Sequence, residues 1–151
     1  MVKSITEKCS AKINIAIDVL GKYPNDYHEV RMIMTQVGIF DVITISLKDE
    51  KGIEIAGSDI NMPVDESNLA WKAANEFFKA IKFDGGCDIY IEKHIPMGAG
   101  MAGGSSDAAG VINGLNKLFD SPLSLEERMK MGKKLGADVP FCVMGGCALA
   151  E

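Results

Sequence analysis

Residues 96–109, Pro-Met-Gly-Ala-Gly-Met-Ala-Gly-Gly-Ser-Ser-Asp-Ala-Ala, limit more than any other stretch what this chain can fold into. The segment before them alternates like a strand and the segment after them repeats like a helix, so a glycine-rich turn must join the two. Gly98, Gly100, Gly103 and Gly104 permit positive φ and let backbone approach a ligand closely. A helix opening beyond them would point unbonded N–H groups into the same space, which makes a cradle for phosphate with amides in place of lysine. A merely flexible hinge would lose the conformational entropy of those glycines on folding for no packing return.

The flanking pattern fills in the rest. Lys12 to Val19 alternates, with Ile13, Ile15, Ile17 and Val19 expected on a core face and Lys12 and Asn14 on the other. Tyr23-Pro24-Asn25-Asp26 reads as a turn, followed by a mixed segment over 28–39, a strand over 42–47 and a short strand over 53–56. Ala70, Ala73, Ala74, Phe77, Phe78 and Ile81 predict a helix from about Glu66 that ends before Gly85-Gly86. Cys87, Ile89 and Ile91 predict the strand that leads to Pro96. Ala108, Val111, Ile112, Leu115 and Leu118 predict a helix starting where the glycines stop. Ser124 with Glu127 is a capping box for a further helix ending at Gly136, and 141–150 reads as a last strand.

Composition narrows the class. With 151 residues, 47% hydrophobic and 25% charged, the chain fits one ordinary domain. A formal charge of −5 without a dense Lys/Arg cluster argues against nucleic acid as a partner. The N-terminus lacks the apolar stretch of a signal peptide and no segment is long enough to span a bilayer, so a cytoplasmic protein with no membrane partner is expected. Cys9, Cys87, Cys142 and Cys147 lie among apolar residues without Cys-x-x-Cys spacing, as buried reduced thiols would. With only two histidines a soft-metal site is improbable, whereas Mg²⁺ held by phosphate and water would leave almost no signature.

Gly98 to Gly103 also satisfies G-x-G-x-x-G, but a dinucleotide fold needs a following strand ending in an acidic residue. The nearest candidate, Asp120, ends a helix and another helix follows it, so that reading fails. Gly104-Ser105-Ser106 has no lysine before its hydroxyls, so a Walker A loop fails too. Lys12 is the best candidate for positive charge at the loop, or else a solvated lysine near a strand start, while Lys93 and His94 read as solvated. Asp138 is a lone carboxylate in a small, apolar stretch, either a turn residue or a functional one; beside Lys12 it would be placed to accept a proton from a hydroxyl nucleophile. Tyr27 and His28, side by side at a turn, are a packed ring and an exposed imidazole or a pair that binds a base.

Four segments, Ala11-Lys12-Ile13-Asn14, Asp26-Tyr27-His28-Glu29, the loop 96–109 and Leu135-Gly136-Ala137-Asp138-Val139-Pro140, together resemble the GHMP kinase superfamily in order and separation. The resemblance implies an α+β fold, the family's N-terminal ATP-binding domain over 1–151, with a mixed sheet, a left-handed βαβ unit and helices packed on one face. It implies phosphorylation by ATP, with Mg²⁺, of the 2-hydroxyl of a small-molecule cytidyl-linked methylerythritol substrate in non-mevalonate isoprenoid synthesis. It implies catalytic roles for Lys12 and Asp138, and substrate contacts for Asn14, Tyr27 and His28. Pro96, Gly98, Gly100, Met101, Ala102, Gly103, Gly104, Ser105 and Ser106 would hold ATP, with Asn68 near the adenine; protein ligands of the metal are not readable. Met101 and Ala102 stand where the family often has leucine and glycine, and neither change removes an amide. Family members continue into a C-terminal domain that is expected to be absent from this chain. The alternatives are a truncated, non-catalytic ATP-binding domain and another GHMP small-molecule kinase.

Overall fold

A computed structural model describes residues 3–151. Strands β1 (Ser4–Lys22) and β2 (His28–Lys48) form a long antiparallel hairpin. β3 (Gly52–Gly57), helix α1 (Leu69–Ile81) and β4 (Gly86–Glu92) follow, then α2 (Gly103–Leu118), α3 (Leu125–Leu135), α4 (Val139–Met144) and β5 (Cys147–Ala150). The sheet order is β1-β2-β4-β3, with β5 paired to the outer part of β2. β3 and β4 run parallel on either side of α1 and the other pairs are antiparallel, so the sheet is mixed and the class is α+β as expected.

Alternation along the strands decides which face carries the helices. Ile43, Ile45, Ile89 and Ile91 are buried, while Thr6 with Thr44 and Lys48 with Glu54 and Asp88 pair on the exposed face. α2 lies in the middle of the helical layer, buried without a break from Ser106 to Ile112. It approaches the sheet at two glycines: a Cβ built on Gly110 would lie 2.2 Å from Cys9 Sγ, and one on Gly114 would lie 2.9 Å from Ile45 Cδ1. Phe77, Phe78, Phe83 and Phe119 close the end of the core between α1 and α2.

Several expectations need correction. Ile13, Ile15, Ile17 and Val19 are not core; they are 39–63% exposed. Register shifts between Ser10 and Lys12, Asn14 and Ala16, and Val19 and Gly21 break the period-two face, and the arm beyond Lys12 is exposed nearly throughout. Of the strand expected over 141–150 only 147–150 forms; 141–144 belong to helix α4, because Asp138 takes the N-cap and Pro140 sits in the first turn, where its missing N–H costs nothing. α2 begins at Gly103, two residues before the serines, so the dinucleotide reading now fails only on the helix that follows. Cys147 is exposed, although the other three cysteines are buried. Lys93 is not solvated, as its ion pairs show below. The region 28–39 and the strand 42–47 are one continuous β2, and α1 starts at Leu69 with Asn68 as its cap.

Candidate active site

The loop leaves β4 at Lys93 and enters α2 at Gly103. Gly98 and Gly100 take φ of 71° and 73°, as the sequence requires, and Ala102 shares the left-handed region at 57°. Ala102 is the N-cap of α2 with no side-chain capping bond, so the first-turn amides are left for a ligand. Gly103 answers a packing need instead: a Cβ there would come within 3.3 Å of Lys93 Nζ and 3.2 Å of Ile95 Cγ2.

An open cleft of about 440 Å³ lies over these amides. The loop from Pro96 to Ser105 forms one side, and Met62, Pro63, Asn68 and Leu69 form the other. Asn68 is engaged as a cap, accepting from Ala70 N–H at 2.9 Å and donating to the Pro63 carbonyl at 2.7 Å. Ser106 is buried and spends its hydroxyl on the Ser10 carbonyl at 2.6 Å, so its role is to tie the loop to β1, while Ser105 faces the cleft.

β1 brings Lys12 to the loop: its N–H donates to the Met101 carbonyl at 3.1 Å. The bulge at Ser10/Lys12 turns the lysine inward, where it is 5% exposed. Its Nζ lies 3.2 Å from Asn14 Oδ1 and 3.5 Å from Asp138 Oδ1. Lys12, Asn14 and Asp138 therefore meet at the loop's edge, as the sequence suggested. Tyr27 and His28 stand apart from them at the far end of the hairpin, where Lys22 pairs with His28; Tyr27 is 73% exposed.

The sequence reading missed a buried array beneath the loop. Asp41 is fully buried and accepts from Lys93 Nζ at 2.5 Å, from His94 N–H at 2.5 Å and from Ile95 N–H at 2.8 Å. Lys93 Nζ also donates to Asp107 Oδ2 at 2.9 Å, and Asp107 Oδ1 is buried with no hydrogen-bond partner. The readable signal was Asp107, a charge at the head of the apolar run from Ala108 to Ile112 of α2.

Burial pushes the Asp107 carboxyl up to about 7, against the pull of Lys93 and with the Asp41 charge adding to it. Burial alone would raise Asp41 as well, but the Ile95 and His94 amides and the Lys93 ammonium hold it below the usual carboxylate range. A raised folded-state pKa means stability that is full while Asp107 is protonated and is lost as pH climbs from about 4 towards 7. Asp41 acts with the opposite sign and only below its ordinary value of 3.8. Urea unfolding should therefore give about 2 kcal/mol less stability at pH 7.5 than at pH 5, a difference that Asp107→Asn should largely remove. An unchanged difference in that variant would place the titration elsewhere. Burial also raises the thiols of Cys9, Cys87 and Cys142, the last two to about 12, which makes them poor nucleophiles at neutral pH.

Among the described residues no group of three or more His, Cys, Asp or Glu could hold a metal, and no helix is long and apolar enough to cross a membrane. Ser105 lines the cleft, and a Mg²⁺ carried mainly by phosphate and water would ask little more of the protein than such a hydroxyl.

Residues 68–146 match the family described as the GHMP kinases N terminal domain. The 4-diphosphocytidyl-2-C-methyl-D-erythritol kinase of Lachnospira eligens is 46% identical over 150 residues, covering 99% of this chain and 52% of that protein. That of Lachnoclostridium phytofermentans is 48% identical over 147 residues, covering 97% and 50%. The chain thus spans about half the length of the curated relatives it matches. A crystal structure of 4-(cytidine 5'-diphospho)-2C-methyl-D-erythritol kinase superposes with a TM-score of 0.84 at 33% identity, over 97% of this chain and 51% of that one. Homoserine kinase from Cytophaga hutchinsonii gives 0.78 at 19% identity, over 97% and 48%, a likeness of fold alone.

Proposed function

The chain belongs to the GHMP kinases, and from that premise we propose that it is the N-terminal, ATP-binding domain of an enzyme that phosphorylates the 2-hydroxyl of 4-diphosphocytidyl-2-C-methyl-D-erythritol. The observation that carries the proposal is the meeting of Lys12 and Asp138, 3.5 Å apart, at the edge of a glycine loop whose helix amides are uncapped. Relatives at 46–48% identity carry that substrate in their names, which supports the choice of acceptor.

In this mechanism the loop amides and the N-terminus of α2 hold the β- and γ-phosphates of ATP. A Mg²⁺ held by the Ser105 hydroxyl, the triphosphate and water would supply charge neutralisation. Asp138 takes the proton of the acceptor hydroxyl as its oxygen attacks the γ-phosphorus, and ADP leaves. Lys12 holds the Asp138 carboxylate in place and stabilises charge developing on the transferring group, while Asn14 orients both Lys12 and the acceptor. The exposed Tyr27 and His28 offer a ring face and hydrogen bonds to the cytosine. Asn68, as the cap of α1, shapes the adenine side of the cleft through backbone.

The test is phosphorylation by the full-length protein, followed by ³¹P NMR, with the cytidyl substrate and with methylerythritol phosphate lacking the cytidylyl group. Transfer to the 2-hydroxyl of the cytidyl substrate alone is the expected result. Equal transfer to both acceptors, or transfer to homoserine or mevalonate instead, would overturn the assignment of substrate.

A further inference from the structure

Lys93, Asp41 and Asp107 sit under the glycine loop, yet the mechanism above uses none of them. Burying two carboxylates around one ammonium is a poor way to gain stability, since such groups are desolvated at high cost and apolar side chains of similar size often do as well. Their placement has a different logic. Asp41 on β2 holds the loop's entry, through the amides of His94 and Ile95 at 2.5 and 2.8 Å. Lys93, fixed to Asp41, reaches across to the loop's exit, through Asp107 on α2 at 2.9 Å and through the close approach of its Nζ to Gly103. Between these anchors lie the residues with the most backbone freedom, Gly98 and Gly100, and the left-handed Ala102.

We propose that Asp41, Lys93 and Asp107 form a positioning unit that clamps both ends of the glycine loop and sets the Lys93 ammonium beneath the N-terminus of α2, so that the cradle is formed before the triphosphate arrives. The unit acts on the nucleotide and leaves the acceptor hydroxyl to Lys12 and Asp138. It rests on the reading of the cleft as the ATP site. Preorganisation of this kind appears as affinity, because the ordering of the loop is no longer charged against binding. Asp107 Oδ1, buried without a partner, is the cost the fold accepts to hold the lysine on that side.

The experiment uses the full-length protein, with ATP binding followed by calorimetry and steady-state kinetics followed for both substrates. Lys93→Met should weaken ATP binding by about ten- to a hundredfold, the worth of a preset loop, with kcat at saturating ATP and KM for the acceptor within about threefold. Asp107→Asn keeps an oxygen for Lys93 and should hold ATP affinity within about threefold of the wild type. ATP affinity unchanged in Lys93→Met, or ATP affinity, acceptor KM and kcat failing together, would overturn the proposal. Should Lys93→Met not fold, the double variant Lys93→Met/Asp107→Leu removes the stranded carboxylate, leaves Asp41 its two amide donors, and is expected to show the same selective loss. Calorimetry needs no acceptor. A wild type that binds ATP without phosphorylating the cytidyl substrate therefore refutes that acceptor and leaves the positioning unit to be decided by the variants. A wild type that does not bind ATP overturns both.

Discussion

Asp138→Asn in the full-length protein is expected to lower turnover by about a hundred- to ten-thousandfold, the range spanned by general-base catalysis, while ATP binds within about threefold of normal. The substitution is nearly isosteric, so its effects can be separated. Asp138 is the N-cap of α4 but makes no side-chain capping bond, so an amide there does not cost the helix its cap. Lys12 loses an ion pair at 3.5 Å but keeps Asn14 Oδ1 at 3.2 Å, so it is not stranded. In the proposed mechanism the triphosphate is held by amides of the loop, on a different element. What the substitution removes is the carboxylate to which that mechanism assigns the proton. Initial rates at saturating substrates, with calorimetric ATP affinity beside them, check the split; near-normal turnover would remove Asp138 from the chemistry.

Gly110→Ala should destabilise the protein by more than about 2 kcal/mol, and Cys9→Ala should restore most of that loss in the double variant. A methyl group at 110 would lie 2.2 Å from Cys9 Sγ, inside any permitted contact, where α2 rests on β1. The same methyl would be 3.7 Å from Cys9 Cβ and 3.5 Å from Ile43 Cδ1, which are ordinary contacts. Removing the sulfur therefore makes room for the carbon, and the pair exchanges volume across one interface. Urea midpoints of the wild type, both single variants and the double variant form the cycle. If Gly110→Ala alone costs under about 0.5 kcal/mol, or if Cys9→Ala brings no relief, α2 does not approach β1 as closely as described.

How much of this was legible in the sequence follows the range of the interactions. α3 could be read down to its capping box, because Ser124 and Glu127 satisfy each other within one turn. The loop could be read because left-handed backbone demands glycine locally. α4 could not be read by periodicity, since Val139, Phe141, Cys142 and Val143 are all buried and an apolar run carries no period; Pro140 in its first turn was the cue. The outer half of β1 misled for the reverse reason. Its residues alternate in sequence, but three register shifts break the face they would share, and the exposure of the arm depends on where the helices stop, which the strand's own residues do not encode. Lys12 and Asp138 were legible as candidates because each broke its surroundings. Lys93 was hidden among charged neighbours, and its partner Asp41 lies 52 residues earlier.

The ties of the glycine loop bear on how the site comes into being. Ser106 bonds the carbonyl of Ser10 across 96 residues, Lys12 bonds the carbonyl of Met101, and Asp41 holds the residues that lead into the loop. Each of these contacts closes a large span of chain, so the loop cannot take its working shape until both N-terminal strands and the start of α2 are docked together. A peptide spanning 96–109, or the same residues grafted between a strand and a helix of another protein, would keep the motif and lose the shape. The binding surface is thus a product of the docked strands rather than of the motif, and nucleotide protection against proteolysis should appear only once β1, β2 and α2 have packed together.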